Sequence, residues 1–412
     1  MNGVRILTLM FACFIFAVGF DWQRWAEEKC GDGICQKWEA RRGSCLQDCH
    51  EQTAKIIPSP NAERESQIKS VRILTKKGGR VDWSPSGNDL IAFDRKGEDG
   101  FYDIWIINSY GSGERCLTCN RSDILPRHNG NPTWHPSGEF IVIQAEDPQL
   151  SCESKEAFAK TPGGGINNNL WVVNKEGIKF WQLTHVKDGM GVLHPHFSHD
   201  GSKLLWSEKV SNEPEAWGDW VMKIADFRIE NGRPRIRSIS EIKPERFQFY
   251  ETDGFSPDDR KIAFSAFSYI PRPTSYNVEL TSLEEYVYDL DTKELQRLTS
   301  DITEWDEFLQ FTPDGKKFVW MSSHDISQER DMLGGIIGGK LKSDYWIMDT
   351  DGGNKKRLTH FNAPGYPEYR PNGACVADFS FSPDGTKIVA KVRELPSKFD
   401  QNERIMIIEL KR

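Results

Sequence analysis

The chain has 412 residues, of which 38% are hydrophobic and 28% charged, a composition typical of a soluble globular protein. Its formal net charge is −8 at pH 7, and it contains no run rich in lysine and arginine. Because phosphate binding requires a basic surface, we expect no nucleic-acid partner.

Residues 1–19 are predicted to be an export signal. A positive charge at Arg5 precedes the apolar run 6–20, and the small residues Ala17 and Gly19 offer a cleavage site. The run is shorter than the roughly 20 residues that a membrane-spanning helix needs. Any membrane contact is therefore expected only through this segment, if it stays uncleaved. We expect a periplasmic or secreted protein.

Residues 20–50 are predicted to form a small disulfide-rich module. An exported chain with clustered cysteines favours disulfide bonds, with a zinc site as the alternative. The segment resembles small modules of the form CGDGxC that occur near the start of some secreted bacterial proteins. Carboxylates within it could also bind Ca²⁺, although solvated carboxylates are the simpler interpretation. The four cysteines are Cys30, Cys35, Cys45 and Cys49.

Residues 51–70 contain two prolines and no periodic pattern, so they are predicted to be a linker. The chain from 71 to 412 then contains six copies of one pattern, such as "DWSPSGNDLIAF" and "SFSPDGTKIVA". In each copy an aromatic residue ends a strand, a tight turn follows, and an apolar strand returns. The aromatic residues are Trp83, Trp134, Phe197, Phe255, Phe311 and Phe381.

Each copy also predicts a third strand, and a fourth that begins near a Leu-Thr pair. The fourth strand is degraded to "SIS" after the third copy and is missing after the sixth. A spare strand, "VRILT" at 71–75, precedes the first copy, so it is expected to complete the last blade and cover its edge. The sequence therefore predicts an all-β, six-bladed β-propeller of four-stranded blades, closed by its N-terminal strand.

The repeat resembles the TolB-like propeller family, in which a Leu-Thr pair precedes an aromatic-Ser-Pro-Asp-Gly turn. This resemblance covers residues 71–412 and implies the fold. It also implies a choice of functions, since such propellers serve as docking scaffolds, as enzyme appendages and in some cases as lyases. Two copies depart from the pattern: His199 replaces the usual proline, and Asp259 replaces the usual glycine. Both departures are expected to weaken a turn.

The long insertions of the repeat all fall on one rim of the predicted propeller. They include the segments 144–169, 268–282 and 322–343, whereas the turns at the other rim stay short. Loops on a rigid scaffold commonly carry binding residues. The long-loop rim is therefore predicted to be the functional face.

The residues just before each aromatic are expected to reach the mouth of the central channel. His194 and His196 could bind a divalent metal there together with carboxylates, because imidazole and carboxylate are suitable ligands. His199 lies in a turn about 16 Å away and cannot share that ion. Trp305 is an aromatic that could form a binding hot spot. The predicted binding residues are Arg80, Asn131, His194, His196, Asp253, Glu307, Asp378 and Trp305.

Cys116 and Cys119 form a CxxC at a predicted strand end. In an extended chain their Cα atoms would be roughly 10 Å apart, too far for a disulfide unless the chain turns. We therefore expect one of them to pair with Cys152 in a long insertion, and the other with Cys375.

These patterns favour a scaffold that binds an envelope or secreted protein, or a peptidoglycan-associated ligand, through the long-loop rim. No cofactor is required for that role, and no catalytic residue is identified. The alternative is a metal-dependent lyase or hydrolase that acts on a polysaccharide at the channel mouth; a TolB-like lyase of uronate oligosaccharides offers the family analogy. No GxSxG motif is present, which counts against an α/β-hydrolase active site.

Overall fold

The computed structural model describes residues 66–411 except 123, 125, 151–156, 213–217, 246, 268–282, 302–303, 329–338 and 396–401. The predicted signal, the Cys-rich module and most of the linker lie outside the described residues, as does Cys152. The chain divides into two units, 1–58 and 59–412, and the described residues belong to the second. Within the described part, no helix has the length and apolarity that crossing a membrane would require.

The described residues form six antiparallel sheets of four strands each, which confirms the predicted six-bladed propeller. Blades 1 to 5 contain β2–β5, β6–β9, β10–β13, β14–β17 and β18–β21, and blade 6 contains β22–β24 with β1. One short 3-10 helix, Ala157–Lys160, lies between β7 and β8. The strands are β1 Ile68–Thr75, β2 Val81–Trp83, β3 Leu90–Lys96, β4 Tyr102–Asn108, β5 Arg115–Cys116, β6 Asn129–Trp134, β7 Phe140–Glu146, β8 Asn168–Asn174, β9 Phe180–Gln182, β10 Gly191–Phe197, β11 Lys203–Ser211, β12 Asp219–Glu230, β13 Arg233–Ile242, β14 Phe249–Phe255, β15 Lys261–Phe267, β16 Glu284–Asp289, β17 Leu295–Arg297, β18 Asp306–Phe311, β19 Lys317–Ser322, β20 Asp344–Asp349, β21 Lys356–Arg357, β22 Ala374–Phe381, β23 Lys387–Glu394 and β24 Glu403–Leu410.

The tight turn of each repeat is held by its own side chains. In blade 6 the Ser382 hydroxyl donates to Asp384 at 2.6 Å and accepts from the Lys387 backbone N–H at 2.9 Å. Gly385 has a φ of 67°, which glycine adopts without steric cost. The Ser-Pro-Asp-Gly pattern is thus the local reason for the sharp reversal from the first strand to the second.

The ring closes as predicted, because β1 pairs antiparallel with β24. The register places Ile68 opposite Leu410 and Val71 opposite Ile408. The strand begins at Ile68, so the last three residues of the predicted linker belong to the propeller. Apolar side chains pack between neighbouring blades; Trp206, for example, is fully buried between blades 2 and 3.

The fourth strand of blade 3, predicted to be degraded, is instead the longest outer strand among the described blades. β13 has 10 residues, and β12 has 12. Asn231 and Gly232 join them with φ values of 52° and 72°, the geometry of a two-residue hairpin turn. The Asn-Gly pair, rather than a Leu-Thr pair, therefore determines where this strand begins.

The two departures from the repeat pattern contact each other. The Asp259 carboxylate accepts from the backbone N–H groups of His199 and Asp200 at 2.7 and 3.0 Å, and lies 2.9 Å from His199 Nδ1. Asp259 itself adopts a φ of 58°, in the region that favours glycine. The expected weakening of the two turns is therefore offset by a contact between blades 3 and 4.

The two rims differ in the structure as they do in the sequence. The connections β7–β8, β15–β16 and β19–β20 span 147–167, 268–283 and 323–343, and the strand ends that they join lie at one rim. Connections at the opposite rim, such as 312–316 and 231–232, are short turns. The long-loop rim is the rim at which the inner strands begin.

Candidate functional site

Two cavities lie along the central channel. The larger, about 380 Å³, opens towards the short-turn rim and is bordered by turn prolines; we call it the channel cavity. The smaller, about 120 Å³, lies where the inner strands begin, at the long-loop rim; we call it the end cavity. His194, Phe308 and Asp378 line both, so they form the partition between them.

β-Bulges aim the partition side chains into the channel. The inner strands β6, β10, β14, β18 and β22 each shift register shortly before their aromatic residue. Asn131, His194 and Phe308 occupy these bulges with φ values of 51°, 46° and 65°. Non-glycine residues rarely adopt such values, and strained bulges commonly re-aim side chains at functional sites. The His194 and Phe308 rings stack with their centroids 5.8 Å apart.

The residues one position before the aromatics all line the channel cavity. Five of them also bond sideways to the inner strand of a neighbouring blade, and we call these five the inter-blade ring. Their contacts are Asp82 with Trp134 N at 2.7 Å, Thr133 with Pro195 O at 2.7 Å, His196 with Thr252 O at 2.9 Å, Gln310 with Phe379 O at 2.6 Å and Ser380 with Asp82 at 2.8 Å. The polar residues at this position thus hold blades together.

The two predicted metal ligands are engaged in such contacts. His196 Nε2 faces the Thr252 carbonyl, so this nitrogen must donate its proton and cannot bind a metal. His194 Nε2 lies 2.8 Å from Glu251 Oε1. Burial lowers the pKa of His194 to about 4 and that of His196 to about 3. Both rings are therefore neutral at pH 7, and metal binding by the pair stays a prediction.

One group of potential metal ligands gathers among the described residues, namely Asp103 with Cys116 and Cys119. The two sulfur atoms are bonded to each other, so neither can bind a metal as a thiolate. The predicted pairing of these cysteines with Cys152 and Cys375 is wrong: Cys375 is a buried free thiol. The chain turns directly after β5, which brings the Cα atoms of Cys116 and Cys119 to 5.7 Å.

One wall of the end cavity is acidic. Glu251 and Glu307 share a hydrogen bond, and the Trp305 indole N–H donates to Glu307 at 2.9 Å. Burial raises the pKa of Glu251 to about 7 and that of Glu307 well above its usual range. The two carboxyl groups therefore hold a proton between them at neutral pH. Trp305, predicted as a binding hot spot, is buried in this wall with 7% of its surface exposed.

A second carboxyl pair lies behind the first. The Ser265 hydroxyl is 2.9 Å from Asp253 and 3.1 Å from Glu285. Burial, followed by repulsion from neighbouring carboxylates, raises the pKa of Asp253 and of Glu285 well above their usual values. These two carboxyl groups thus favour the protonated, neutral form and contribute little negative charge to the acidic side of the channel.

The opposite wall is cationic and contains Arg80, Lys391 and Arg393. Lys391 lies 3.2 Å from Glu403, and Arg80 lies 3.8 Å from a carboxylate oxygen of Asp378. Burial alone would raise the pKa of Asp378, but Arg80, Lys391 and His194 together lower it. Asp378 is therefore charged, and it sits between the two walls.

All eight predicted binding residues line one or both of the two cavities, and Trp305 does so as part of the acidic wall. Lys391 and Arg393 were missed because they lie on the second strand of blade 6, not the innermost one. A signal was present, since alternate charged residues interrupt the apolar strand "KIVAKVRE". Alternate strand residues point to the same face, so these charges share one environment.

Replacing Glu251 by glutamine should change how stability depends on pH. The folded protein keeps a proton on Glu251 up to about pH 7, whereas the unfolded chain releases it near pH 4.5, so this group destabilises the fold as pH rises through that interval. Glutamine does not ionise. Relative to wild type, the variant should gain about 1–3 kcal/mol between pH 5 and pH 8 in urea unfolding. The exposed Glu98→Gln should keep the wild-type slope, and an unchanged slope for Glu251→Gln would contradict this assignment.

No family model matches the chain. Dipeptidyl-peptidase 5 of Porphyromonas gingivalis is 22% identical over 301 residues, which is 68% of this chain and 42% of that relative. A protein assigned as TolB from Agrobacterium tumefaciens has 17% identity and a TM-score of 0.45, over 77% of this chain and 90% of that chain. An oligogalacturonate lyase in complex with manganese has 12% identity and a TM-score of 0.43, over 84% of this chain and 95% of that chain. The chain thus spans less than half of the curated relative, and these likenesses add nothing to the propeller fold that the six sheets establish.

Proposed function

We propose that this chain is an exported propeller that binds a protein partner through its long-loop rim and acts as a scaffold. The asymmetry of the rims carries this proposal: the long connections join strand ends at the rim where the inner strands begin, and the strands are joined by short turns at the opposite rim. Insertions without a role would be spread over both rims. Loops held by a rigid sheet scaffold are a common place for recognition residues.

The interior of the propeller supports a rigid scaffold. The inter-blade ring and the closure of β1 on β24 tie the blades to one another. A rigid platform reduces the entropy lost when a partner binds its loops. Export, which rests on the N-terminal segment of the sequence, would place the partner in the envelope or outside the cell.

Site-specific photo-crosslinking tests the choice of rim. A photoreactive residue at Lys187 or Pro367, both exposed on the long-loop rim, should give one discrete adduct in extract of the cell envelope. The same residue at Ile178 or Asp351, exposed on the short-turn rim, serves as the matched control and should give none. Equal adducts from both rims, or adducts only from the control positions, would refute the proposal.

The alternative function, a metal-dependent lyase or hydrolase, needs metal at His194 and His196. The engagement of His196 Nε2 with Thr252 leaves that residue one nitrogen for a ligand bond. Metal analysis of the purified protein and of His194→Ala discriminates the two functions. Stoichiometric metal that is lost in the variant, together with cleavage of a polysaccharide, would favour the enzyme.

A further inference from the structure

We propose that the end cavity binds a small zwitterion with one ammonium and one carboxylate group, the class of free α-amino acids. The two walls of the cavity have opposite chemistry: Glu251, Glu307 and Trp305 on one side, and Arg80, Lys391 and Arg393 on the other. This inference goes beyond the proposed binding of a protein by the rim, and either can fail without the other.

The cationic wall has the groups that bind a carboxylate. Arg80 Nε has no hydrogen-bond acceptor among the described residues, and the closest carboxylate oxygens to its guanidinium are 3.8 Å away. Lys391 projects from β23 on the same face as Arg393. A ligand carboxylate could accept from the Arg80 guanidinium at normal hydrogen-bond length, and a charge-assisted bond of this kind is stronger than a neutral one.

The acidic wall has the groups that bind an ammonium ion. Within the described part of the chain, no lysine or arginine forms an ion pair with Glu251 or Glu307. His194, which contacts Glu251, is neutral, and Arg80 acts on Glu251 without forming an ion pair with it. The two carboxyl groups instead form a hydrogen bond with each other. An ammonium ion would supply the missing positive charge, and the Trp305 ring beside it can contribute a cation–π interaction.

The size of the cavity limits the ligand. The cavity volume of about 120 Å³ is far below the roughly 300 Å³ of pockets for drug-sized ligands. Met321 and Leu341 add an apolar patch to the lining. Glycine or alanine matches this space, with a short side chain against the patch, whereas a peptide could insert no more than its end.

Isothermal titration calorimetry with L-alanine and glycine at pH 6.5 tests the proposal. Wild type should show saturable binding of both amino acids. Propionate lacks the ammonium group and ethylamine lacks the carboxylate, so each should bind at least tenfold more weakly. Absence of saturable heat with both amino acids, or equal affinity for propionate, would overturn the proposal.

Variants assign the two walls. Glu307→Gln keeps an acceptor for the Trp305 indole but removes one carboxyl group from the wall that faces the ammonium, so affinity for L-alanine should fall at least tenfold. Arg80→Gln should abolish the preference for L-alanine over ethylamine. The exposed Glu98→Gln is the matched control and should bind as wild type does. The discrimination of wild type against propionate and ethylamine remains decisive if a variant does not fold, and unchanged binding in both folded variants would contradict the assignment.

Discussion

Replacing Asp378 by alanine should lower the free energy of unfolding by about 3–5 kcal/mol. Asp378 is charged and has 8% of its surface exposed, and it faces Arg80, Lys391 and the partition residue His194. Its removal leaves two buried cations without one of their counterions. The desolvation cost of those cations then remains, while much of the compensating attraction is lost. Urea unfolding at pH 7 measures the change.

A graded series makes this result specific. Asp378→Asn keeps the volume and the hydrogen-bonding capacity but loses the charge, so it should be destabilised by a similar amount if charge dominates. The exposed Glu98→Ala should shift stability by less than about 0.5 kcal/mol. A loss for Asp378→Ala no larger than that of Glu98→Ala would show that water already screens Arg80 and Lys391.

Removing β1 should prevent the propeller from folding as a soluble monomer. A chain that begins at residue 76 loses the ladder to β24 and exposes the β24 edge. It also loses Ile68 and Leu74, which pack against the core. Six or so ladder hydrogen bonds at about 0.5–1.5 kcal/mol each, together with this burial, match the total stability of a typical domain. An open edge of this kind also favours aggregation.

The matched control begins at residue 66 and keeps all of β1. It should elute as a monomer in size-exclusion chromatography and unfold in one cooperative transition. The shorter chain should appear in the insoluble fraction or in the void volume. If both chains unfold with the same midpoint, closure by β1 contributes little and five complete blades suffice.

The fold could be predicted because its information is local and repeated. Each copy contains its aromatic, its turn and its return strand within about a dozen residues, so six imperfect copies reinforce one another. The third blade shows the limit of this reasoning. There the Leu-Thr signal is missing, and the Asn231-Gly232 turn, which produces the long β12–β13 hairpin, was overlooked.

The site could be predicted only in part, because its chemistry depends on contacts between blades. The position of His196 one residue before the aromatic predicted that it lies in the channel. It did not predict the hydrogen bond from His196 to the Thr252 carbonyl. The shared proton of Glu251 and Glu307 joins β14 to β18, two strands that no sequence spacing relates. The disulfide was predicted wrongly for a different reason. The turn after β5 contains no glycine or proline, the residues that most often mark a turn in a sequence.

The pairing of β1 with β24 also sets an order of events during synthesis. β1 is among the first parts of the propeller to leave the ribosome, and its partner is the last, since Lys69 and Glu409 are 340 residues apart. At about 5–20 residues per second, on the order of 20–70 s separate the two. Throughout that time the first strand has an unpaired edge and can pair with the wrong partner. The cell must therefore either keep the chain unfolded or shield this strand until the final eight residues of the ring have been made.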